Sequence, residues 1–411
     1  MRLTPVGPGG PDPGSVDLTD SELYRSGDPQ GLWRVMRARA PVWWQEPGET
    51  PGFWSVFGHA DVQRVLRDHR DFSSEGGNML SALGSGDPAG GRMLAASDPP
   101  HHTVLREVLA PMFSPAAQSG HAAEVRDAVR RVLQPLFDGR PFDLAEVTAE
   151  VAMAIVGPMI GVPDADRARL SRLTNMAIAP EDEAFRVRDR RTTLMTAHFE
   201  IFQYFADLLE SPADISPHHM LGLLRNARPE GEPLSSDDII YNCYGLLLGS
   251  GVTTPHVASA GLLALAEHPE QRAALAADET GIASFIDEAV RWSSPSVHFM
   301  RHARRDVEVS GTVIRAGEPV VAWIGSANRD ETVFADSFAF DAARSPNRHL
   351  GFGMGRHYCL GASVARAGLT VFFEEVLRAG VDVTLTGEIG HLRSNTIAGF
   401  TSLPAVAVPV G

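Results

Sequence analysis

The chain has 411 residues, 44% of them hydrophobic, a formal net charge of −15 and only two cysteines, Cys243 and Cys359. A chain this long can bury a large core, the acidic balance argues against a nucleic-acid partner, and two cysteines exclude a four-cysteine zinc site and allow one disulfide at most. Residues 1–17 are rich in Pro and Gly without the apolar run of a secretion signal, and no stretch approaches the ~20 apolar residues of a membrane span, so a cytoplasmic protein with no membrane association is expected.

In chain order, 1–17 reads as a flexible segment, and the lack of Gly/Ser or charged linkers beyond it predicts one domain over 1–411. The run 52–57 alternates like a strand and 59–71 reads as a helix. A Gly- and Ser-rich loop follows at 73–96, and a loop that long in a compact domain is usually functional. Apolar spacing predicts amphipathic helices over 122–137, 144–160 and 192–209, with Pro180-Glu-Asp-Glu separating two helices. Residues 237–268 are apolar on most sides, so a buried central helix is expected, with Cys243 as a reduced core residue. Strand-like pieces return at 307–321 and 381–408. The fold class is predominantly α with small β-sheets, an α+β chain.

Cys359 is the most informative residue. It stands in His349-Leu-Gly-Phe-Gly-Met-Gly-Arg-His-Tyr-Cys-Leu-Gly361, directly before a helix-forming run. The first turn of a helix offers unpaired N–H groups and a partial positive charge, which favour a thiolate, the form that binds metal. Gly353 and Gly355 permit positive φ and a close approach of backbone to a flat ligand. A buried structural cysteine in a glycine-rich turn is the bland alternative, but it leaves the spacing of the whole pattern unexplained.

That pattern, Phe352-Gly353-x-Gly355-x-His357-x-Cys359-x-Gly361, resembles the haem-binding loop of the haem-thiolate monooxygenases, the cytochrome P450 family of soluble bacterial type. Further landmarks occur in the same order as in that family. Glu288-Ala-Val-Arg291 is similar to its E-x-x-R pair, Ala327-Asn-Arg-Asp330 to its meander, and Phe340-Asp-Ala-Ala-Arg344 to the arginine that completes a Glu-Arg-Arg cluster. Asp98-Pro-Pro-His-His-Thr-Val-Leu-Arg106 resembles its C-helix, and Gly249-Ser-Gly-Val-Thr-Thr254 sits where its oxygen-activating helix belongs. The resemblance runs from about residue 20 to the C-terminus and implies the cytochrome P450 fold, with haem b (iron protoporphyrin IX) held between the long central helix and the cysteine-loop helix.

By the same resemblance Cys359 is the iron ligand, with Gly361 and Leu360 N–H groups on its sulfur and Phe352 and Gly249 against the haem. His102, Arg106, Arg301 and His357 are the expected partners of the two propionates, since buried carboxylates need cations or hydrogen bonds. His102 and Arg106 are four apart and share one helix face. Glu288, Arg291 and Arg344 are assigned to bracing the cysteine loop, with Asn328, Arg329 and Asp330 in a similar part.

The oxygen helix departs from the family pattern. Thr253 matches the threonine that helps deliver protons to reduced oxygen, but the acid before it is Val252 and the usual glycine is Ser250. Pro255 lacks an N–H, so Gly251 loses its helical partner and a kink is expected; the freed carbonyl can hold a water, or the kink merely fits the helix around its neighbours. Ser250 either donates protons or returns its hydroxyl to a carbonyl one turn back. Two activities follow: oxygen insertion, by hydroxylation, epoxidation or oxidative cyclisation of a specialised metabolite such as an antibiotic precursor, or a peroxide-using or non-oxygen-inserting reaction such as isomerisation or dehydration. A haem protein that only binds or senses a ligand is the non-enzymatic alternative.

The pocket walls implied are Met79, Leu80 and Leu83; Gly245, Leu248 and Gly249; Val297, His298 and Phe299; and Thr396, Ile397 and Phe400. Most are apolar, so a largely apolar small molecule is expected, free or bound to a carrier protein. His298 either orients a polar group of the substrate or is a satisfied buried histidine. The chain has no flavin, nicotinamide or iron–sulfur segment, so electrons should come from NAD(P)H through a ferredoxin reductase and an acidic ferredoxin, docked near Arg106, Arg348, Arg356 and Arg366.

Overall fold

The computed structural model describes residues 12–26, 29–48, 50–210, 216–217 and 219–409, with the backbone alone at Pro115, Ala116 and Glu230. Of the segment expected to be flexible, residues 1–11 lie outside this range; from Asp12 the chain makes a 3₁₀ turn at Pro13–Ser15 and buries Leu18.

The helices that carry the site are α1 (His101–Leu109), α2 (Leu144–Ile160), α3 (Asp164–Ile178), α4 (Arg190–Glu210), α5 (Ser236–Gly251), α6 (Thr254–Glu267), α7 (Ile282–Ser293) and α8 (Ala362–Ala379). α2 is apolar nearly all round and accordingly sits in the core. Asp143 caps it by accepting from Ala145 N–H at 2.9 Å, and Gly161 ends it at φ +85°. The helix expected over 122–137 is interrupted at Leu133, giving Pro115–Val132 and Gln134–Phe137, because Pro135 cannot donate to the preceding turn.

The central helix expected over 237–268 is broken in two. Ser235 accepts from Asp238 N–H at 3.1 Å to start α5, and Asp237 and Asp238 suit the positive end of its dipole. The break falls at Val252 and Thr253, where Pro255 withholds the N–H that Gly251 would accept. The stretch Ser236–Glu267 is long and apolar enough by composition to cross a membrane, which the sequence reading missed, but 72% of its apolar window is buried inside the protein.

α6 and α8 pack on α2, and α7 packs on α6 and α8, where Phe285 and Phe373 meet edge to face at 4.7 Å. Burying a phenylalanine of this kind is worth about 1.5–3 kcal/mol. A five-stranded sheet runs in the order Val42–Gln45, Phe53–Val56, Pro319–Trp323, His298–Ala303, Phe72–Ser73. Phe53–Val56 pairs parallel with Pro319–Trp323 and the other neighbours are antiparallel. The predicted strands at 307–321 and 381–408 appear as Val307–Val309, Thr312–Ile314 and Pro319–Trp323, then Val381–Leu385, Gly390–His391, Phe400–Ser402 and Pro404–Pro409.

The long loop at 73–96 is tied to α5. Asn242, buried in the apolar helix, accepts from Leu94 N–H at 2.9 Å and donates to Arg92 O at 3.0 Å, while Arg92 pairs with Asp238 at 2.7 Å. A polar side chain lost among apolar neighbours was the available sequence signal for this clasp.

Candidate functional site

Cys359 sits in a loop whose shape depends on glycine. Gly353 and Gly355 have φ +70° and +72°, and a Cβ on Gly355 would lie 2.8 Å from Arg67 Cα. Cys359 N–H donates to Phe352 O at 2.8 Å, and Leu350 N–H to Asn328 Oδ1 at 2.7 Å, so the loop is tied to itself and to the segment before it. Arg106 reaches across from α1 and donates to the carbonyls of Arg356 and Tyr358 at 3.1 and 3.0 Å. Its guanidinium thereby fastens the cysteine loop, beside His102 and His357 with which it was expected to hold the propionates. Arg366 of α8 pairs with Asp287 at 2.8 Å and lies 4.4 Å over the Phe352 ring.

Cys359 retains accessible surface, yet the loop around it desolvates the thiol. That burial raises it above the ordinary thiol range, against the pull of the Gly361 N–H and the charges of Arg106 and Arg366. The helix start does help the thiolate, as expected, but in the polypeptide by itself desolvation outweighs it. Cys243 is buried and free, as expected, and burial pushes its thiol far up.

Beside the cysteine loop lies a group of two imidazoles and a guanidinium short of anions. His102 is 2% exposed and neither ring nitrogen has a hydrogen-bond partner among the described residues. Its ring centroid is 4.3 Å from that of His357, whose Nε2 meets Ser74 Oγ at 3.2 Å. Burial, then the charges of Arg106 and Arg356, holds His102 down to about 4. Burial, then Arg301, His102 and Arg106, holds His357 down to about 2. Buried Arg301, which donates to its neighbour Met300 O at 2.8 Å, is lowered to about 10 by burial. The nearby carboxylate, Asp98, already accepts from Ser73, Ser74 and Arg304. A buried set of this kind is complementary to carboxylates brought by a ligand, and two propionates fit it. Gly249 adds room for a flat ring, since a Cβ placed there would meet nothing within 4 Å.

Glu288 and Arg291 form a fully buried bidentate pair at 2.7 and 2.6 Å. Arg344 reaches both Glu288 oxygens at 3.2 Å, and Asn347 and Asp341 N–H donate to it at 3.0 Å. Arg291 also donates to Asn328 O and Ser337 O at 3.0 and 2.9 Å, and Arg329 donates to Arg291 O and Trp292 O at 3.0 and 2.7 Å. Asn328 then hands the brace to Leu350. The cluster thus reaches the cysteine loop through hydrogen bonds alone. Asp330 caps the neighbouring helix by accepting from His59 N–H at 2.8 Å.

On the oxygen helix, Thr253 Oγ1 donates to Gly249 O at 3.2 Å. Ser250 donates to Leu246 O at 2.7 Å, the return bond of a helical serine and the same i−4 pattern as that of Thr253. Val252 is buried against Ile178, Ala179, Leu392 and Ile397, with Leu248 beside them. The place of an acid is therefore filled by apolar packing. A Cβ on Gly251 would meet only Thr174 Oγ1, at 3.6 Å.

The expected pocket walls fall into several groups. Leu248 and Ile397 meet in the Val252 cluster, while Leu80, Leu83 and Val297 pack with Trp323 and Met300. Phe299 packs with the sheet core and Phe400 with the helical core, so these two are not brought to the same wall. Val297 and Phe400 do share a cavity of about 40 Å³ with His256 and Trp33. Gly245 faces Met93, whose sulfur a Cβ would meet at 2.5 Å, and Met79 begins the 3₁₀ turn Leu80–Ala82. Thr396 is buried and its carbonyl accepts from Val297 N–H at 3.0 Å. His298 is resolved by its bonds: Nε2 accepts from Leu80 N–H at 3.1 Å, so Nδ1 carries the proton and donates to Asn395 O at 3.0 Å. It is a satisfied neutral histidine, held down to about 4 by burial.

The family model "Cytochrome P450" matches residues 282–379. Cytochrome P450 NovI of Streptomyces niveus is 35% identical over 398 residues, covering 95% of each chain. Linalool 8-monooxygenase of Pseudomonas putida is 30% identical, covering 96% of this chain and 99% of its own. The crystal structure of P450 OxyD, involved in the biosynthesis of vancomycin-type antibiotics, superposes with a TM-score of 0.83 at 34% identity, covering 96% of this chain and 100% of its own.

Proposed function

Because the chain belongs to the cytochrome P450 family and is a haem-thiolate monooxygenase of that family, we propose that it binds haem b through Cys359 and oxidises a largely apolar small molecule in specialised metabolism. The observation that carries this reading is the pairing of the glycine-shaped Cys359 loop with the buried, anion-poor set of Arg301 and the two hydrogen-bonding imidazoles His102 and His357. The similarity to OxyD, which is involved in the biosynthesis of vancomycin-type antibiotics, supports the metabolic setting. One domain over the whole chain is part of the proposal, since the largest buried cluster draws side chains from Leu109 to Ala407. A cytoplasmic location is proposed with it.

When bound, haem with a thiolate ligand favours cleavage of the O–O bond. The chain's own residues do the rest. His102, Arg301 and His357 hold the propionates, and Gly361 N–H steadies the sulfur. The Glu288 cluster keeps the loop in shape through Asn328. Thr253 and the carbonyl of Gly251, freed by Pro255, hold the proton-bearing water, while Val252 and Ile397 exclude bulk water from that side. Leu80, Leu83, Leu248, Val297 and Ile397 supply an apolar wall for the substrate body, which fits hydroxylation, epoxidation or oxidative cyclisation.

Members of the family draw on redox partners and O₂. We assign that role here to a ferredoxin and its NAD(P)H-dependent reductase, docking on the cysteine side where Arg348 and Arg356 are exposed. Arg106 and Arg366 are already engaged with the loop and with Asp287, so they contribute field rather than free contacts.

One observation favours a second reading. The apolar burial of Val252 removes the ordinary acid, which suits a peroxide-using enzyme or one driving isomerisation or dehydration. Turnover of a metabolite library with mixed ferredoxin and reductase, compared with peroxide alone, separates the two. Oxygenated product with NAD(P)H supports the first; product only with peroxide supports the second.

A further inference from the structure

Between Arg191 and Asp207, α4 exposes every fourth residue. Arg191, Met195, Phe199, Gln203 and Asp207 are exposed, and every other residue in that span is buried or half-buried. Thr193, Ala197, Ile201 and Phe205, on the other side of the helix, are buried. Residues four apart form a continuous ridge on a helix surface. Met195 and Phe199 are 60% and 68% exposed, the two highest values for large apolar residues among those described. Scattered apolar residues on a surface are ordinary, but an aromatic ring beside a thioether with charge at the margins is the composition of an interface.

The ridge is palindromic about Phe199. Met195 and Gln203 lie four residues to either side of it, and Arg191 and Asp207 lie eight residues to either side. At 1.5 Å per residue the two opposite charges stand about 12 Å from Phe199 along the axis, one in each direction. The ion pairs of α4 within the chain use Arg190 with Glu181 and Glu200 with Arg169, at 3.3 and 2.8 Å. No ion pair among the described residues includes Arg191 or Asp207; Asp207 accepts from Gln203 at 2.6 Å, one turn back on the same ridge. The segment before α4 also carries both signs, with Glu183 and Asp189 interleaved among Arg186, Arg188 and Arg190.

This pattern selects its partner. A surface of one charge, whether an anionic bilayer or an acidic protein, is attracted at one end of the ridge and repelled at the other. A second copy of the ridge, run antiparallel, satisfies both ends at once. We propose that α4 is the interface of a two-fold homodimer whose axis passes through Phe199. An isologous contact sets each residue against its counterpart across the axis. Phe199 packs on the partner's Phe199, Met195 on the partner's Gln203, and Arg191 pairs with the partner's Asp207. Ridges of this kind interdigitate at a crossing of about −50°, so the helix ends diverge and the long arm of Arg191 spans the gap. The antiparallel order also brings opposite ends of the two helix dipoles together. On its inner side α4 meets α5 through His198 and Tyr244, at 3.0 Å, and through Phe202 against Tyr241. The dimer therefore braces the layer above the oxygen helix.

The test uses the haem-loaded full chain in sedimentation velocity over a wide range of protein concentration. A concentration-dependent dimer is expected. R191D and D207R each set like charges together across the axis and should raise the dimer dissociation constant about tenfold or more, with the reduced carbon monoxide spectrum unchanged. The double variant R191D/D207R exchanges the two ends and should restore the wild-type constant. Under copper–phenanthroline oxidation F199C should cross-link two chains, whereas Q203C, which faces Met195 and not itself, should not. A chain that stays monomeric at every concentration overturns the proposal. So does a dimer that R191D and D207R leave intact, one that the double variant fails to restore, or cross-linking at Q203C as ready as at F199C.

Discussion

The Thr253 hydroxyl donates to the Gly249 carbonyl at 3.2 Å, bridging the break between α5 and α6 with a side chain. Two residues on, Pro255 withholds the N–H that the Gly251 carbonyl would accept, and Val252 supplies no acid. Proton assistance of this kind is worth roughly 10²–10⁴-fold in rate. Thr253→Ala should therefore lower product per NAD(P)H severalfold and raise peroxide release. Equal coupling in wild type and variant would show that Thr253 does not handle the proton.

Val252→Asp should not rescue the missing acid. Its carboxylate would enter the cluster of Ile178, Ala179, Leu392 and Ile397, at a stability cost of about 2–4 kcal/mol. Thermal unfolding should fall and coupling should stay near wild type. A severalfold gain in coupling would mean that the ordinary relay was merely broken here and that its elements are intact.

His298→Leu removes the partners of Leu80 N–H and Asn395 O together, at about 1–3 kcal/mol for each group left unpaired. These two atoms belong to different pocket walls, so the variant should bind substrate more weakly and release a broader product set, while its carbon monoxide spectrum stays normal. An unchanged KM and product profile would reduce His298 to core packing.

Glu375 is a pH-dependent staple. Arg130, Arg126 and Arg378 hydrogen-bond its carboxylate and hold it down to about 2. A depressed carboxylate contributes its stability above the ordinary range, and that contribution is lost as pH falls from about 4.5 toward 2. Arg130 and Arg378 are half exposed, which screens the pairs, so Glu375→Gln should cost only about 1–2 kcal/mol at neutral pH. The gap between wild type and variant in denaturant unfolding should close over that acid window. A gap constant with pH would assign the loss to shape instead.

Much of this was legible in the sequence. The shape of the Cys359 loop and the Glu288–Arg291–Arg344 cluster were implied by the family resemblance and the Pro255 break by one missing N–H, and the structure contains all three. What was not legible depended on partners distant in the chain. The role of Arg106 is fixed by carbonyls 250 and 252 residues away, and the satisfaction of His298 by Leu80 and Asn395. Asn242 carried a signal that went unread, a lone amide in an apolar helix. The depressed state of His102 and the raised thiol of Cys359 are consequences of burial, which residue type alone does not give.

The central claim is that Cys359 is the haem ligand. Its most direct test is the Soret band of the reduced carbon monoxide complex, measured for wild type, Cys359→Ser and Cys243→Ala with haem content determined in parallel. The account predicts the red-shifted thiolate band in wild type and in Cys243→Ala, and its loss in Cys359→Ser. Survival of that band in Cys359→Ser would contradict it.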